Sequence, residues 1–143
     1  MLEEITEFRG TYLFLSNFYE HSFEFNGLVW PSSEHAYQAC KTEDPKWIEF
    51  IRTLPKPAQA KSAGGRIKAI DNWDNLRVPM MRKVLEAKFS DERLEKLLIE
   101  TGTARLVEGN WWKDYFWGVC NGKGENNLGK LLMEIRDGKI AKS

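Results

Sequence analysis

The sequence predicts an α+β fold that is mainly helical: a small N-terminal antiparallel hairpin or sheet, then a cluster of about six helices. Three observations predict it. Phe23-Glu24-Phe25 alternates apolar and polar residues and runs into Asn26-Gly27, the strongest short hairpin signal. Proline, serine and aspartate start signals then recur, each followed by apolar residues at helical spacing. Finally, the 143 residues contain no repeat, low-complexity tract or linker, as expected of a single domain, 1–143, that buries a core without staples.

The elements follow in order. Leu13 to Phe18 and Ser22 to Phe25 read as extended, the second returning through Leu28-Val29-Trp30. Pro31-Ser32-Ser33 starts the first helix, with Ser32 or Ser33 as its cap. Asp44-Pro45 reads as cap and first residue of a helix carrying Trp47, Ile48 and Ile51, and a short helix follows Pro57 until Gly64-Gly65 stops it. Pro79 begins a helix with Met81, Val84, Leu85 and Phe89 on its apolar stripe, and Ser90 caps another with Leu94, Leu97 and Leu98, ending near Gly102. The last helix, Leu128 to Arg136, places Leu128, Leu131, Leu132 and Ile135 on one face and closes near Gly138.

Composition excludes several classes. Lysine plus arginine equals aspartate plus glutamate at 21 each, so no global basic field favours nucleic acid, and such a role would need a local patch. No apolar run approaches a membrane span, and Met1-Leu2-Glu3-Glu4 is acidic where a signal peptide would be basic and then apolar, so a cytoplasmic protein is expected. Cys40 and Cys120 are far apart and show no metal-ligand spacing, so they read as free thiols, and no metal or cofactor is indicated.

Chemistry is concentrated in a few segments. On the first helix Glu34, Tyr37, Gln38 and Lys41 fall at i, i+3, i+4 and i+7, so one face offers an acid, a phenol, an amide and an amine. Glu34 lies in the first turn, where the dipole and unpaired N–H groups favour its charged form and suit it to act as base, nucleophile or cation stabiliser. Six tryptophans and 13% aromatic residues suggest an aromatic pocket, with Trp30, Trp73, Trp112 and Trp117 beside polar or glycine-rich segments. Gly64-Gly65-Arg66 presents a fork-shaped cation after a flexible pair, a phosphate-binding pattern that is equally an ordinary solvated turn. The glycine- and amide-rich run Gly118 to Gly129 feeds the last helix as an anion site would, yet matches neither the Walker A nor the Rossmann spacing.

Together these segments resemble the NADAR domain, or YbiA-like, family. The resemblance rests on Leu15-Ser16-Asn17-Phe18, on Trp30-Pro31-Ser32-Ser33-Glu34-His35-Ala36-Tyr37-Gln38, on Gly65-Arg66, and on Trp111-Trp112-Lys113-Asp114-Tyr115-Phe116-Trp117-Gly118. Asn127-Leu128-Gly129-Lys130 through Arg136 completes it, so it runs in order from about Phe8 to Arg136. Cys40 departs from the family's frequent Gln-Lys, and Asp71 to Asn75 matches loosely. The resemblance implies a mainly helical α+β domain that hydrolyses N-glycosidic bonds: early riboflavin-pathway ribosylamino-pyrimidine phosphates in some members, ADP-ribose on guanine bases in others.

The residues suit that chemistry. Breaking a C–N bond at a ribose C1 builds positive charge on the sugar and negative charge on the departing base. Glu34 is the candidate to activate water or stabilise the oxocarbenium-like sugar, by analogy with glycosidase carboxylates. Asp114 is the candidate second carboxylate, orienting water or exchanging a proton with the base; its plainer reading is a turn residue ahead of Tyr115. Trp73 and Trp117 are placed to stack on the heterocycle, Asn17 to bond sugar hydroxyls or the base edge, and Lys41, Arg66 and, more weakly, Arg9 to take phosphate. Two other classes stay open: a module that binds ADP-ribose or an NAD-related nucleotide without turnover, and an interaction protein with exposed aromatic patches. Nucleic acid enters only as an ADP-ribosylated substrate, zero net charge leans toward a small molecule, and oligomeric state is not readable.

Overall fold

The structure is a computed structural model describing residues 3–142; Met1 and Leu2, which open the acidic N-terminal tetrapeptide, lie outside the described residues. Seven helices and three two-stranded sheets make an α+β architecture, about half helical among the described residues. The order is β1 (Glu4–Ile5), a 3-10 helix (Gly10–Leu15), β2 (Phe23–Phe25), β3 (Leu28–Trp30), α1 (Ser33–Ala39), α2 (Pro45–Arg52), α3 (Pro57–Gly64), α4 (Trp73–Lys88), α5 (Glu92–Glu100), β4 (Arg105–Leu106), β5 (Gly109–Asn110), β6 (Val119–Cys120) and α6 (Asn127–Lys142). Among the described residues no helix is long and apolar enough to cross a membrane. The chain divides into two compact units, Asn17–Lys88 and the residues before and after it.

In the Asn17–Lys88 unit the predicted hairpin forms, pairing Phe23 with Trp30 and Phe25 with Leu28. Asn26 (φ 53°) and Gly27 (φ 76°) take the left-handed backbone that a tight hairpin turn requires. Phe23, Phe25 and Trp30 face inward, and the Trp30 indole N–H donates to the Phe25 carbonyl at 3.0 Å, which satisfies its polar atom in the core. These residues pack with Ala36, Ala39, Ile51, Ala60, Ala63 and Val84. Helix α1 sits centrally, touching α2, α3, α4 and β3, and all seven of its residues are buried. Ser32 caps it, accepting from the His35 N–H at 3.2 Å, and Asp44 with Pro45 opens α2 as expected.

One expectation in this unit is corrected and one is refined. Pro79 lies inside α4 rather than at its start: the helix begins six residues earlier, at Trp73, after a left-handed Asn72 (φ 66°) whose carbonyl accepts from Asn75 and Leu76. A proline is at home in a first turn, which misdirects the sequence reading; in the interior it removes one N–H bond and crowds the carbonyl four residues back, a cost set against the burial of Met81, Val84 and Leu85. Gly64 and Gly65 do end α3, but Gly65 (φ −69°) stays in the right-handed region, so the pair is not a left-handed stop.

In the other unit Leu13 to Leu15 is not extended. Gly10–Leu15 forms a 3-10 helix because Phe14 and Leu15 are consecutive buried residues, a pattern a half-buried strand cannot satisfy, and Phe14 meets Phe89 edge-on at 6.5 Å. The cap of α5 is Asp91 rather than Ser90, accepting from the Leu94 N–H at 3.0 Å. Helix α6 runs past Gly138 to Lys142, since a glycine stops a helix by turning left-handed and Gly138 does not. Strands β1 and β4 pair in parallel, as do β5 and β6. Arg136 is 3% exposed, and its guanidinium donates to the Ala104 carbonyl at 2.6 Å and to Thr101 Oγ1 at 3.2 Å, tying α6 to the segment after α5.

Candidate active site

Helix α1 carries the polar face into the interior. Glu34 is 8% exposed, and its Oε2 accepts from Gln38 Nε2 at 2.6 Å, a charge-assisted bond between residues one turn apart. Asn17 holds the start of the same helix: its carbonyl accepts from the Glu34 N–H at 3.0 Å, and its Oδ1 accepts from Ser33 Oγ at 2.8 Å. The Asn17 amide itself points at the Met81 sulfur, 3.6 Å away, a weak acceptor. Lys41 donates to the Gly64 carbonyl at 3.4 Å. Burial lowers the pKa of the Lys41 ammonium, the Glu34 carboxylate draws it back up, and Arg77 lowers it further. Tyr37 lies 5.6 Å from Trp73, ring to ring. The predicted stripe of acid, phenol, amide and amine is thus brought together with Asn17 and Trp73.

His35, fully buried, faces elsewhere. Its Nε2 donates to the Leu54 carbonyl at 2.9 Å, so in the neutral ring Nδ1 accepts from Ser32 Oγ at 2.6 Å. Burial lowers its pKa, against the pull of the Leu54 bond and Glu20. The histidine pins α1 to the end of α2. Arg66 has an exposed side chain just past α3, available to an anion in solvent. Cys40 donates to the Ala36 carbonyl at 3.3 Å, and burial pushes its thiol up to about 11, which keeps it protonated and unreactive.

In the other unit the tryptophan-rich loop is built on side chain to backbone bonds. Asp114 Oδ1 accepts from the N–H groups of Phe116 (3.2 Å) and Trp117 (2.9 Å). Asn110 clasps Asp114 from behind, its Oδ1 accepting the Asp114 N–H and its Nδ2 donating to the Asp114 carbonyl, each at 3.0 Å. Asp114 therefore shapes a turn with one oxygen, as its plainer reading had it. Trp117 is half-buried against Phe116, at 4.8 Å edge-on, while Trp111, Trp112 and Tyr115 are exposed. Arg9 is paired with Glu7 and lies 4.4 Å over the Trp111 ring. The anion site expected at the start of α6 does not form: the N–H groups of Asn127 and Leu128 already donate to the Phe116 and Trp117 carbonyls.

One residue was named in the sequence reading without its partner, and another escaped it. Gln38 stood on the polar stripe, but only the structure shows its bond to Glu34. Lys88, 1% exposed and 5.8 Å over the Tyr19 ring, has its ammonium pulled down to about 7 by burial. It sits three, four and seven residues after Leu85, Val84 and Met81, a core position that could have flagged it. Among the described residues no group of three histidines, cysteines or carboxylates could hold a metal ion.

The chain is similar to known proteins over most of its length. The model of the NADAR domain matches residues 6–138. The chain is 43% identical over 126 residues to the N-glycosidase YbiA of Shigella flexneri, covering 85% of this chain and 78% of that protein. A riboflavin biosynthesis protein of Vibrio vulnificus is 38% identical over 128 residues, 87% of this chain but 35% of the longer relative. The NMR structure of the Escherichia coli protein YbiA superposes with a TM-score of 0.87 at 39% identity, covering 99% of this chain and 88% of that one.

Proposed function

The chain belongs to the NADAR domain family, and from that premise we propose that it is an N-glycosidase, hydrolysing the C–N bond between a ribose and a heterocycle. The observation that carries this reading is Glu34: a carboxylate on a buried central helix, bonded by an amide and within the field of a lysine, with no apolar packing role to explain it. Placed beside C1, Glu34 takes a proton from the attacking water or stabilises the positive sugar. Water oxygen bonds C1, the C–N pair leaves with the base, and the base nitrogen ends up protonated. Lys41 and the exposed Arg66 are assigned to phosphate, Trp73 to the heterocycle, and Asn17 to the sugar or base edge. Arg9 is a weaker phosphate candidate, and Asp114 and Trp117 stay candidates for proton exchange and stacking.

The substrate we favour is a ribosylamino-pyrimidine phosphate of the early riboflavin pathway, which suits a cytoplasmic enzyme of zero net charge. One relative's name, riboflavin biosynthesis protein, supports it. The family model runs across both units, which supports treating residues 1–143 as one functional domain. A second reading, removal of ADP-ribose from guanine in nucleic acid, is favoured by the exposed Trp111, Trp112 and Tyr115 around Lys113, since aromatics beside a cation suit a single strand. Mass spectrometry of products from both substrates, with the wild type and Glu34→Gln, tests these readings together. Cleavage of one, lost in the variant, names the substrate class. Nucleotide binding without cleavage would replace the enzyme by a binding module.

A further inference from the structure

Glu34 and Gln38 stand one turn apart on α1, and Gln38, 5% exposed, gives one amide hydrogen to Glu34 Oε2 at 2.6 Å. The other end of that amide is unusual: Gln38 Oε1 is buried and has no hydrogen-bond partner among the described residues. It is seated against Gly64, the last residue of α3. A Cβ built on Gly64 would fall on Gln38 Oε1 and Cδ, although the backbone of Gly64 is right-handed and asks for no glycine on conformational grounds. A side chain there would therefore push the Gln38 amide out of its present seat. The carbonyl of the same residue accepts from Lys41 Nζ, so Gly64 supports both the amide and the amine of the stripe. Turning the amide over would set its oxygen against the Glu34 carboxylate, acceptor against acceptor, so the orphaned oxygen is the cost of keeping a donor on Glu34.

We propose that Gln38, seated on Gly64, is the positioning residue that holds Glu34 ionised and fixes the plane of its carboxylate. The inference rests on the N-glycosidase reading for its catalytic meaning, but not for its physical content. A donor fixed on Oε2 favours the charged carboxylate and steers proton uptake away from that oxygen, which is what a base facing water requires. The test is a carbon-13 NMR titration of the Glu34 carboxyl, assigned with Glu34→Gln, in the wild type, Gln38→Met and Gly64→Ala. Both variants are expected to raise the midpoint by about one pH unit or more, because Gln38→Met removes the donor and Gly64→Ala displaces it. On the favoured substrate the acid limb of kcat/KM should rise with it, while KM changes little. A midpoint unmoved in variants with a native-like amide spectrum overturns the proposal; should Gly64→Ala fail to fold, Gln38→Met decides. A wild type that cleaves neither substrate overturns the N-glycosidase reading instead, and the titration still decides the role of Gln38.

Discussion

The two units spend their buried polar groups differently. In Asn17–Lys88 they meet side chain to side chain: Glu34 with Gln38, Ser33 with Asn17, Ser32 with His35. In the other unit the buried Asn126 and Arg136, and the half-buried Asp114 and Asn127, bond mainly to backbone carbonyls and N–H groups. A side chain bonded to backbone sets the path of the chain, whereas one bonded to another side chain keeps a reactive group oriented. The contrast predicts unequal responses to removing one charge. Glu34→Gln should lower kcat by about a thousandfold with the fold retained, the scale of a lost acid–base group. Asp114→Asn keeps an oxygen for the Phe116 and Trp117 N–H groups, so its melting temperature should not change, while Asp114→Ala frees both and should cost about 1–3 kcal/mol. A large loss of kcat in folded Asp114→Asn would erase the contrast and give the loop carboxylate a chemical role as well.

Lys88 is a fully buried amine over the Tyr19 ring. Its folded pKa of about 7 lies below the ordinary 10.5, so between those values the unfolded chain binds more protons. Stability should therefore rise as pH increases from 7 toward 10.5, by on the order of 1 kcal/mol per pH unit before other groups contribute. Lys88→Met should remove most of that slope and stabilise the protein most at neutral pH. Urea unfolding from pH 6.5 to 10 measures it, and a variant with an unchanged slope would show that the amine is charged in place.

A smaller effect separates His35 from Glu34, its neighbour on α1. His35→Ala leaves Ser32 Oγ and the Leu54 carbonyl without the ring and should cost about 1–3 kcal/mol. Because burial depresses the His35 pKa, its contribution is present above pH 6.5 and fades as pH falls below it. Thermal melts at pH 5 and 7 should converge in the variant; a gap as wide as in the wild type would place the acid sensitivity elsewhere.

How much was legible follows from where the forces act. The hairpin, the caps of α1 and α2, and the stripe from Glu34 to Lys41 depend on neighbours within a turn or two, and the sequence displays them. The 3-10 helix at Gly10–Leu15, the start of α4 at Trp73 and the continuation of α6 past Gly138 depend on packing, which overrode local signals from Pro79 and Gly138. Gln38 and Gly64 are 26 residues apart by their numbers, and nothing local says that one leaves room for the other. The start of α6 shows the reverse failure, since a glycine-rich approach to a helix looked like an anion site until its N–H groups were found already bonded.

The smallest effects concern two exposed arginines, one in each unit. Arg9 pairs with Glu7 and covers Trp111, yet both interactions are solvent-exposed, so Arg9→Ala should cost at most about 1 kcal/mol. Arg66 is exposed beyond the end of α3, and Arg66→Ala should leave stability unchanged. If a phosphate is held by Arg66, its loss raises KM for a phosphorylated substrate with kcat intact, because the phosphate is bound equally before and during bond breaking. The same assay on Arg9→Ala should show less change, since its guanidinium is already neutralised by Glu7 and stacked on an indole. An equal rise in KM for both would overturn the ranking of Arg66 above Arg9 as the phosphate ligand.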